Sequence, residues 1–228
     1  MRKIYIKLLI STVVFLICFI VNSQTKAITE DGDTIYVYDN GTWSFEKLEQ
    51  MPEANELAYL TAELKIDTLS NDFVYSKNAN KQVSNSHNQF IIKYDDNQWK
   101  RVPPATLNDD AEFAFQSKDS DIWCVVISEE TPIEPDKLYR IALKTIERKA
   151  KTKAEIVKTE LRKVNGNNVI RGVSRANFSG ITFIFDSYYF SNDKGSVQFT
   201  TWTSEKVWER TEDKIINLLN GFIVNQNN

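Results

Sequence analysis

The spacing of hydrophobic positions along this chain changes several times, and each change marks an element. Residues 8–21 are apolar almost throughout, interrupted only by Ser11 and Thr12. Thr34-Ile35-Tyr36-Val37-Tyr38 then alternates as a strand, Asp39-Asn40-Gly41 forms a turn, and Thr42-Trp43-Ser44-Phe45 returns. Asn-Gly takes the positive φ angles of a tight hairpin, so residues 24–47 are expected to form an N-terminal β-hairpin. Residues 55–64 fit a short helix or a strand equally well. Residues 76–88 carry too little apolar surface to offset the entropy of ordering, so 48–88 reads as a linker with one uncertain short element.

From residue 89 the pattern is denser. Phe90-Ile91-Ile92-Lys93-Tyr94 is a strand, and an extended piece from Trp99 ends at Pro103-Pro104. Strands are expected over 112–116 and 121–128. Leu138, Ile141, Ala142, Thr145 and Ile146 recur at helical spacing behind Pro135-Asp136. Four strands follow, over 155–164, 169–177, 181–190 and 196–203, separated by Asn165-Gly166, Ser179-Gly180 and the turn ending at Gly195. Ser204 stands where a helix cap is wanted, Trp208, Ile215, Leu219 and Phe222 form the buried stripe behind it, and Gly221 suits its stop. Short turns between neighbouring strands require antiparallel pairing. Residues 89–228 therefore read as an α+β domain, an antiparallel β-sheet flanked by two main helices.

Charge gives the first 23 residues a separate meaning. Arg2, Lys3 and Lys7 precede the apolar run, and Val21-Asn22-Ser23 offers small or β-branched residues for a peptidase, the three-part pattern of a signal peptide. The apolar run is shorter than the roughly 20 residues that span a bilayer. Cleavage after Ser23 is expected, with a retained anchor over residues 8–22 as the alternative and the only membrane contact. Ile17 stands before Cys18 where a lipoprotein signal needs a small residue, which sets that reading aside. The cut removes three of 28 basic residues and none of 31 acidic ones, leaving a net charge of −6. Such a chain has no general attraction to nucleic acid. It also leaves Cys124 as the one cysteine, expected buried and inert within Ile122-Trp123-Cys124-Val125-Val126-Ile127. A periplasmic or extracellular location follows from the export pattern.

The strand–helix–meander–helix order resembles the PsbP/Mog1-like domains. The resemblance rests on Phe90-Ile91-Ile92-Lys93-Tyr94 with Trp99, the strand 122–127, the helix 138–146, Tyr188-Tyr189-Phe190 with Gly195, and Leu218-Leu219-Asn220-Gly221-Phe222. It implies a curved antiparallel sheet and an accessory or binding role without catalysis. No shared motif carries a functional residue over. The stretch from Ala27 through Trp43 resembles a hairpin of small exported Bacteroidota proteins of unknown function, and implies no activity.

Catalytic chemistry finds few residues to work with. His87 is the only histidine and lies in the polar stretch, away from any nucleophile that a triad would need. With Cys124 it makes no zinc set, and no cofactor motif is present. Gly172-Val173-Ser174-Arg175-Ala176 starts like a nucleophile elbow but lacks its last glycine and lies within a strand. Asp95, Asp96, Asp109, Asp110, Asp119 and Asp121 sit near turns and read as turn formers; a carboxylate hydrolase would need two of them converging on one cleft. Glu30-Asp31-Gly32-Asp33 offers oxygens for calcium but is too short for an EF-hand loop.

Two features point to binding. Lys144, Arg148, Lys149, Lys151, Lys153 and Lys158 meet only Glu147 and Glu155, a local net charge of +4. Basic residues suit a helix C-terminus, and Arg148, Lys149, Lys151 and Lys153 are candidates for docking an envelope protein or another envelope component. Phe183, Phe185, Tyr188, Tyr189 and Phe190 face Phe199 and Trp202 on the next strand, with Phe183, Phe185 and Tyr189 on one face and Tyr188 and Phe190 on the other. One face is core. The other is either covered by the hairpin, with Trp43 and Phe45, or a contact surface. Tyr188 and Trp202 are the candidates for lining a small-ligand cavity. The expected function is an exported, non-enzymatic envelope binding module, with a ligand carrier as the alternative.

Overall fold

A computed structural model describes residues 25–28, 34–37, 43–44, 63–87 and 89–225. The chain divides into two compact units, 1–57 and 58–228. In the first, β1 (Thr25–Ile28), β2 (Thr34–Val37) and β3 (Trp43–Ser44) pair antiparallel in the order β1-β2-β3. The expected signal segment, the turn at 39–41 and the Glu30–Asp33 oxygens lie outside the described residues.

The second unit is built on an eight-stranded sheet. Its strands are β4 (Asp67–Phe73), β7 (Trp99–Val102), β8 (Phe113–Ser117), β9 (Trp123–Glu129), β10 (Glu155–Val164), β11 (Asn167–Phe178), β12 (Ile181–Asn192) and β13 (Gly195–Ser204), in the order β4-β10-β11-β12-β13-β9-β8-β7. The meander β10 to β13 turns where expected. Asn165 and Gly166 have φ of 47° and 83°, and Ser179 and Gly180 have 52° and 92°, so both connections use left-handed pairs that match the twist of the flanking strands. Asn165 Nδ2 also donates to the carbonyls of Asn220 and Phe222 at 2.8 Å each, which ties this turn to the C-terminal end of the chain.

Two strands lie in the stretch read as a linker. β4 pairs with β10, Glu160 opposite Asp67 and Val164 opposite Phe73. This pairing is parallel, the one exception in an otherwise antiparallel sheet. A parallel partner arrives by a long crossover and leaves no turn signal beside it. β5 (Lys81–Ser84) joins β6 (Phe90–Tyr94) and β14 (Phe222–Val224) in a second sheet, β14-β6-β5. The side chain of Asn85 accepts from the N–H groups of Gln89 and Phe90 and so holds the tight connection between β5 and β6. Local polarity concealed β5 because only Val83 of its four residues is buried.

Two helices cover opposite faces of the large sheet. α1 (Pro135–Ala150) packs Leu138, Tyr139, Ala142 and Leu143 against Ile170 of β11 and Tyr189 of β12. α2 (Glu205–Leu219) packs Val207, Ile215, Leu218 and Leu219 on the other face with Tyr188, Phe199, Cys124 and Val126. The small sheet shares that second face through Phe90, Ile92 and Phe222. Three expectations for α2 change. Ser204 is the N-cap by position, but its side chain makes no capping bond. Phe222 belongs to β14. Gly221 serves close approach, since a Cβ there would lie 1.9 Å from the Lys93 carbonyl oxygen.

Gly172 explains where α1 sits. A Cβ at this point of β11 would meet the Tyr139 ring at 2.6–2.9 Å. The missing side chain lets Tyr139 lie flat on the sheet, where its hydroxyl donates to the Val173 carbonyl at 3.3 Å and its ring meets Tyr189 at 5.1 Å. The glycine that resembles the start of a nucleophile elbow is thus a seat for a helix side chain.

Candidate functional site

α1 covers only part of its sheet face. Beyond Tyr189 the same face continues along alternate residues, Phe183 and Phe185 on β12, Gln198, Thr200 and Trp202 on β13, and Val125 and Ile127 on β9. α1 forms one wall through Ile141, Thr145, Arg148 and Lys149, and the loop carrying Leu107 and Asp110 forms the other. Together they enclose a groove of about 980 Å³, at the upper end of the range usual for small-molecule sites.

The groove is unequal along its length. The C-terminal end of α1 lies by the β11–β12 turn, since Thr152 Oγ1 donates to the Asn177 carbonyl at 3.2 Å. Phe178 lies at this end and its ring meets Phe183 edge-on at 5.8 Å. Trp202 stacks with Trp123 of β9 at 6.4 Å. The opposite end holds Glu129, Thr131 and Ser196, with Ser196 paired to Glu129 across the sheet. Ile141 is 42 % exposed although it lies on the apolar stripe of α1. Ile141 therefore adds apolar surface to the lip of the groove.

The candidate residues separate here. Arg148 and Lys149 line the groove together with Trp202. Lys151 and Lys153 are exposed just beyond it, between α1 and β10, with Lys151 closing the helix in a left-handed conformation. Tyr188 is not part of the groove. It projects to the other face, 1 % exposed, where its hydroxyl donates to Asn220 Oδ1 at 2.6 Å and accepts from Arg162 Nη1 at 3.3 Å. Tyr188 and Trp202 point to opposite faces of the sheet, and of the two only Trp202 lines the groove.

Among the candidate carboxylates, Asp110 stands on the groove wall, while Asp95, Asp96 and Asp119 hold local structure. Asp95 accepts from the Asn97 N–H and Gln98 Nε2, and Asp96 exchanges bonds with Asn80. Asp119 accepts from Ser117, Ser120 and Lys214, and Lys214 first, then the two hydroxyls, hold its carboxyl at about 2. His87 is exposed, 3.8 Å from Glu130. Burial pushes the Cys124 thiol well up. Among the described residues no three of His, Cys, Asp and Glu gather in a way that would hold a metal ion, and no helix is long and apolar enough to cross a membrane.

One polar cluster escaped sequence reading altogether. On the α2 face, Arg171 of β11, Asp186 of β12, Glu160 and Arg162 of β10 and Glu212 of α2 form a connected ion network, with Trp208 Nε1 donating to Asp186 Oδ2 at 3.2 Å. Each residue is unremarkable alone; only strand register assembles them. Arg171, Asp186 and Arg162 of this network are buried, Glu212 brings it to the edge of α2, and it joins β10, β11, β12 and α2.

No protein-family model matches the chain, and no curated protein matches it in sequence. Solved structures do. Cyanobacterial PsbP (CyanoP) from Synechocystis sp. PCC 6803 is 16% identical, with a TM-score of 0.50 over 64% of this chain and 92% of that one. The Ran-binding protein Mog1p of Saccharomyces cerevisiae is 9% identical, with a TM-score of 0.45 over 63% and 94%. LpqN of Mycobacterium tuberculosis, involved in cell envelope biogenesis, is 10% identical, with a TM-score of 0.42 over 67% and 88%. The CyanoP likeness, together with the strand order and the two helices, identifies the fold of this chain as PsbP/Mog1-like.

Proposed function

We propose that the protein is an exported, non-enzymatic binding module of the cell envelope, and that it receives its partner or ligand in the groove between α1 and the sheet. The observation that carries this reading is the groove itself, where Ile141, Phe183, Phe185 and Trp202 leave apolar surface uncovered beside the unneutralised cations Arg148 and Lys149. Apolar surface exposed in a concave site costs solubility and stability unless it is used. Export rests on the charged-then-apolar order of residues 2–21. The non-enzymatic reading rests on the sequence, whose single histidine, His87, lies in a polar stretch and belongs to no triad motif.

Site-specific photo-cross-linking in the native host tests the reading. A photoreactive residue at Ile141 is expected to capture a discrete adduct, while one at exposed Lys206 on α2 captures none. Identical labelling at both positions would sink the proposal.

A further inference from the structure

The groove has a charge at one end and a chain-like apolar floor, and these two facts constrain what fills it. Arg148 and Lys149 are exposed at the aromatic end. Neither has a carboxylate within ion-pairing distance among the described residues, whereas Lys144 on the preceding turn pairs with Glu147 at 3.5 Å. The helix dipole accounts for cations near a C-terminus, but not for two of them lining a groove. Glu129 lies at the far end and repels a second anionic group there.

The floor between these ends offers little to a polar ligand. Gln198 Nε2 already donates to Thr200 Oγ1, and the rest of the floor is Phe183, Phe185, Trp202, Val125 and Ile127, with Asn108, Asp110 and Thr145 on the walls. A ligand rich in hydrogen-bonding groups would go unpaired on such a floor and lose its hydration without return. A methylene chain would not.

We infer that the groove binds a single-chain anionic amphiphile, a long-chain alkyl carboxylate, with its head against Arg148 and Lys149 and its chain along Phe185, Trp202 and Ile141. This rests on the groove being the binding site, and it adds the chemistry and orientation of the occupant. A guanidinium and an ammonium side by side match a carboxylate, Arg148 by its planar fork and Lys149 by its point charge. The acidic end of the groove receives the uncharged tail terminus, so the ligand enters in one direction.

The experiment is a titration of the full chain with sodium dodecanoate and with dodecyl maltoside, both below micelle formation, read by tryptophan fluorescence and by calorimetry. Dodecanoate is expected to bind saturably and to perturb the Trp202–Trp123 pair. Arg148→Glu with Lys149→Glu is expected to weaken it by about tenfold or more, a loss of the size expected for desolvated charge-assisted bonds. Lys206→Glu with Arg210→Glu, an equal charge change on the opposite face, is expected to leave binding intact. Equal binding of both amphiphiles to all three proteins overturns the anionic head while leaving the groove in use. Saturable binding of neither overturns the amphiphile, and the fate of the groove then rests separately on capture at Ile141.

Discussion

Arg171 and Asp186 are joined by two hydrogen bonds, Nε to Oδ1 at 2.9 Å and Nη2 to Oδ2 at 2.6 Å, with both side chains only 1 % exposed. They sit diagonally across the β11–β12 ladder, since Arg171 lies opposite Tyr188 and Asp186 opposite Val173. Arg171 also donates to Glu212 at 2.7 Å and to Glu160 at 3.5 Å, so one guanidinium links β10, β11, β12 and α2. Burial works against its charge, but Asp186 and then Glu212 and Glu160 outweigh this and raise its pKa.

Asp186→Ala strands a buried cation with weaker partners and is expected to destabilise the chain by about 3 kcal/mol. The double change Arg171→Met with Asp186→Leu removes both charges and is expected to cost less than Asp186→Ala alone. Urea unfolding of the three proteins checks the order.

Acid is expected to loosen α2. Burial by itself pushes the Glu212 carboxyl up, but the hydrogen bond and charge of Arg171, aided by Lys158, hold it below its ordinary value of 4.5. A carboxyl with a depressed folded pKa gives up its proton more readily in the folded state. Its stabilisation is therefore complete above the unfolded value and is lost as pH falls through the folded one. Asp119, held at about 2, acts in the same direction but is mostly exposed and screened. The urea midpoint should fall between about pH 5 and pH 3, and less steeply in Glu212→Gln. Equal slopes would remove Glu212 from the account.

Two glycines should respond differently to a methyl group. Gly221→Ala drives Cβ into the Lys93 carbonyl, which donates no room because Lys93 N–H is itself bonded to the Gly221 oxygen at 2.9 Å. A loss of about 1–3 kcal/mol is expected. Gly172→Ala meets a ring that can shift, so it should instead move Tyr139 and with it α1, changing the groove. Tyrosine fluorescence, thermal unfolding and photo-cross-linking at Ile141 in the Gly172→Ala background separate the two outcomes.

Cys124 is fully buried and its thiol is pushed up by burial, so it should resist thiol reagents in the folded chain and react only on unfolding. Labelling that runs ahead of unfolding would show an opening of β9 that the packing of Cys124 with Val126 and Phe199 does not allow.

Legibility in the sequence followed distance along the chain. The four-strand meander was readable because Asn165-Gly166 and Ser179-Gly180 are local signals beside the strands they join. β4 was not, because its partner β10 begins more than 80 residues later and no nearby residue records the pairing. β5 was hidden by polarity, since a small-sheet edge needs only one buried side chain. The basic residues at the end of α1 and the aromatic character of β12 and β13 were each visible, but their convergence was not. Alternation already put Tyr188 on the face opposite Phe183 and Phe185, but that Trp202 lies in an open groove and Tyr188 beneath α2 was visible only in the structure.

By itself the sequence determined the α+β class, the antiparallel meander, the burial of Cys124 and the poverty of catalytic groups, because these depend on residue type and short-range periodicity. Tertiary structure alone decided which face α1 leaves uncovered, that Arg148 and Lys149 border that face, and that Arg171 meets Asp186, Glu160 and Glu212. Those relations depend on strand register and helix placement. Both are set by contacts such as Tyr139 over Gly172, between residues whose separation along the chain carries no information about their meeting in space.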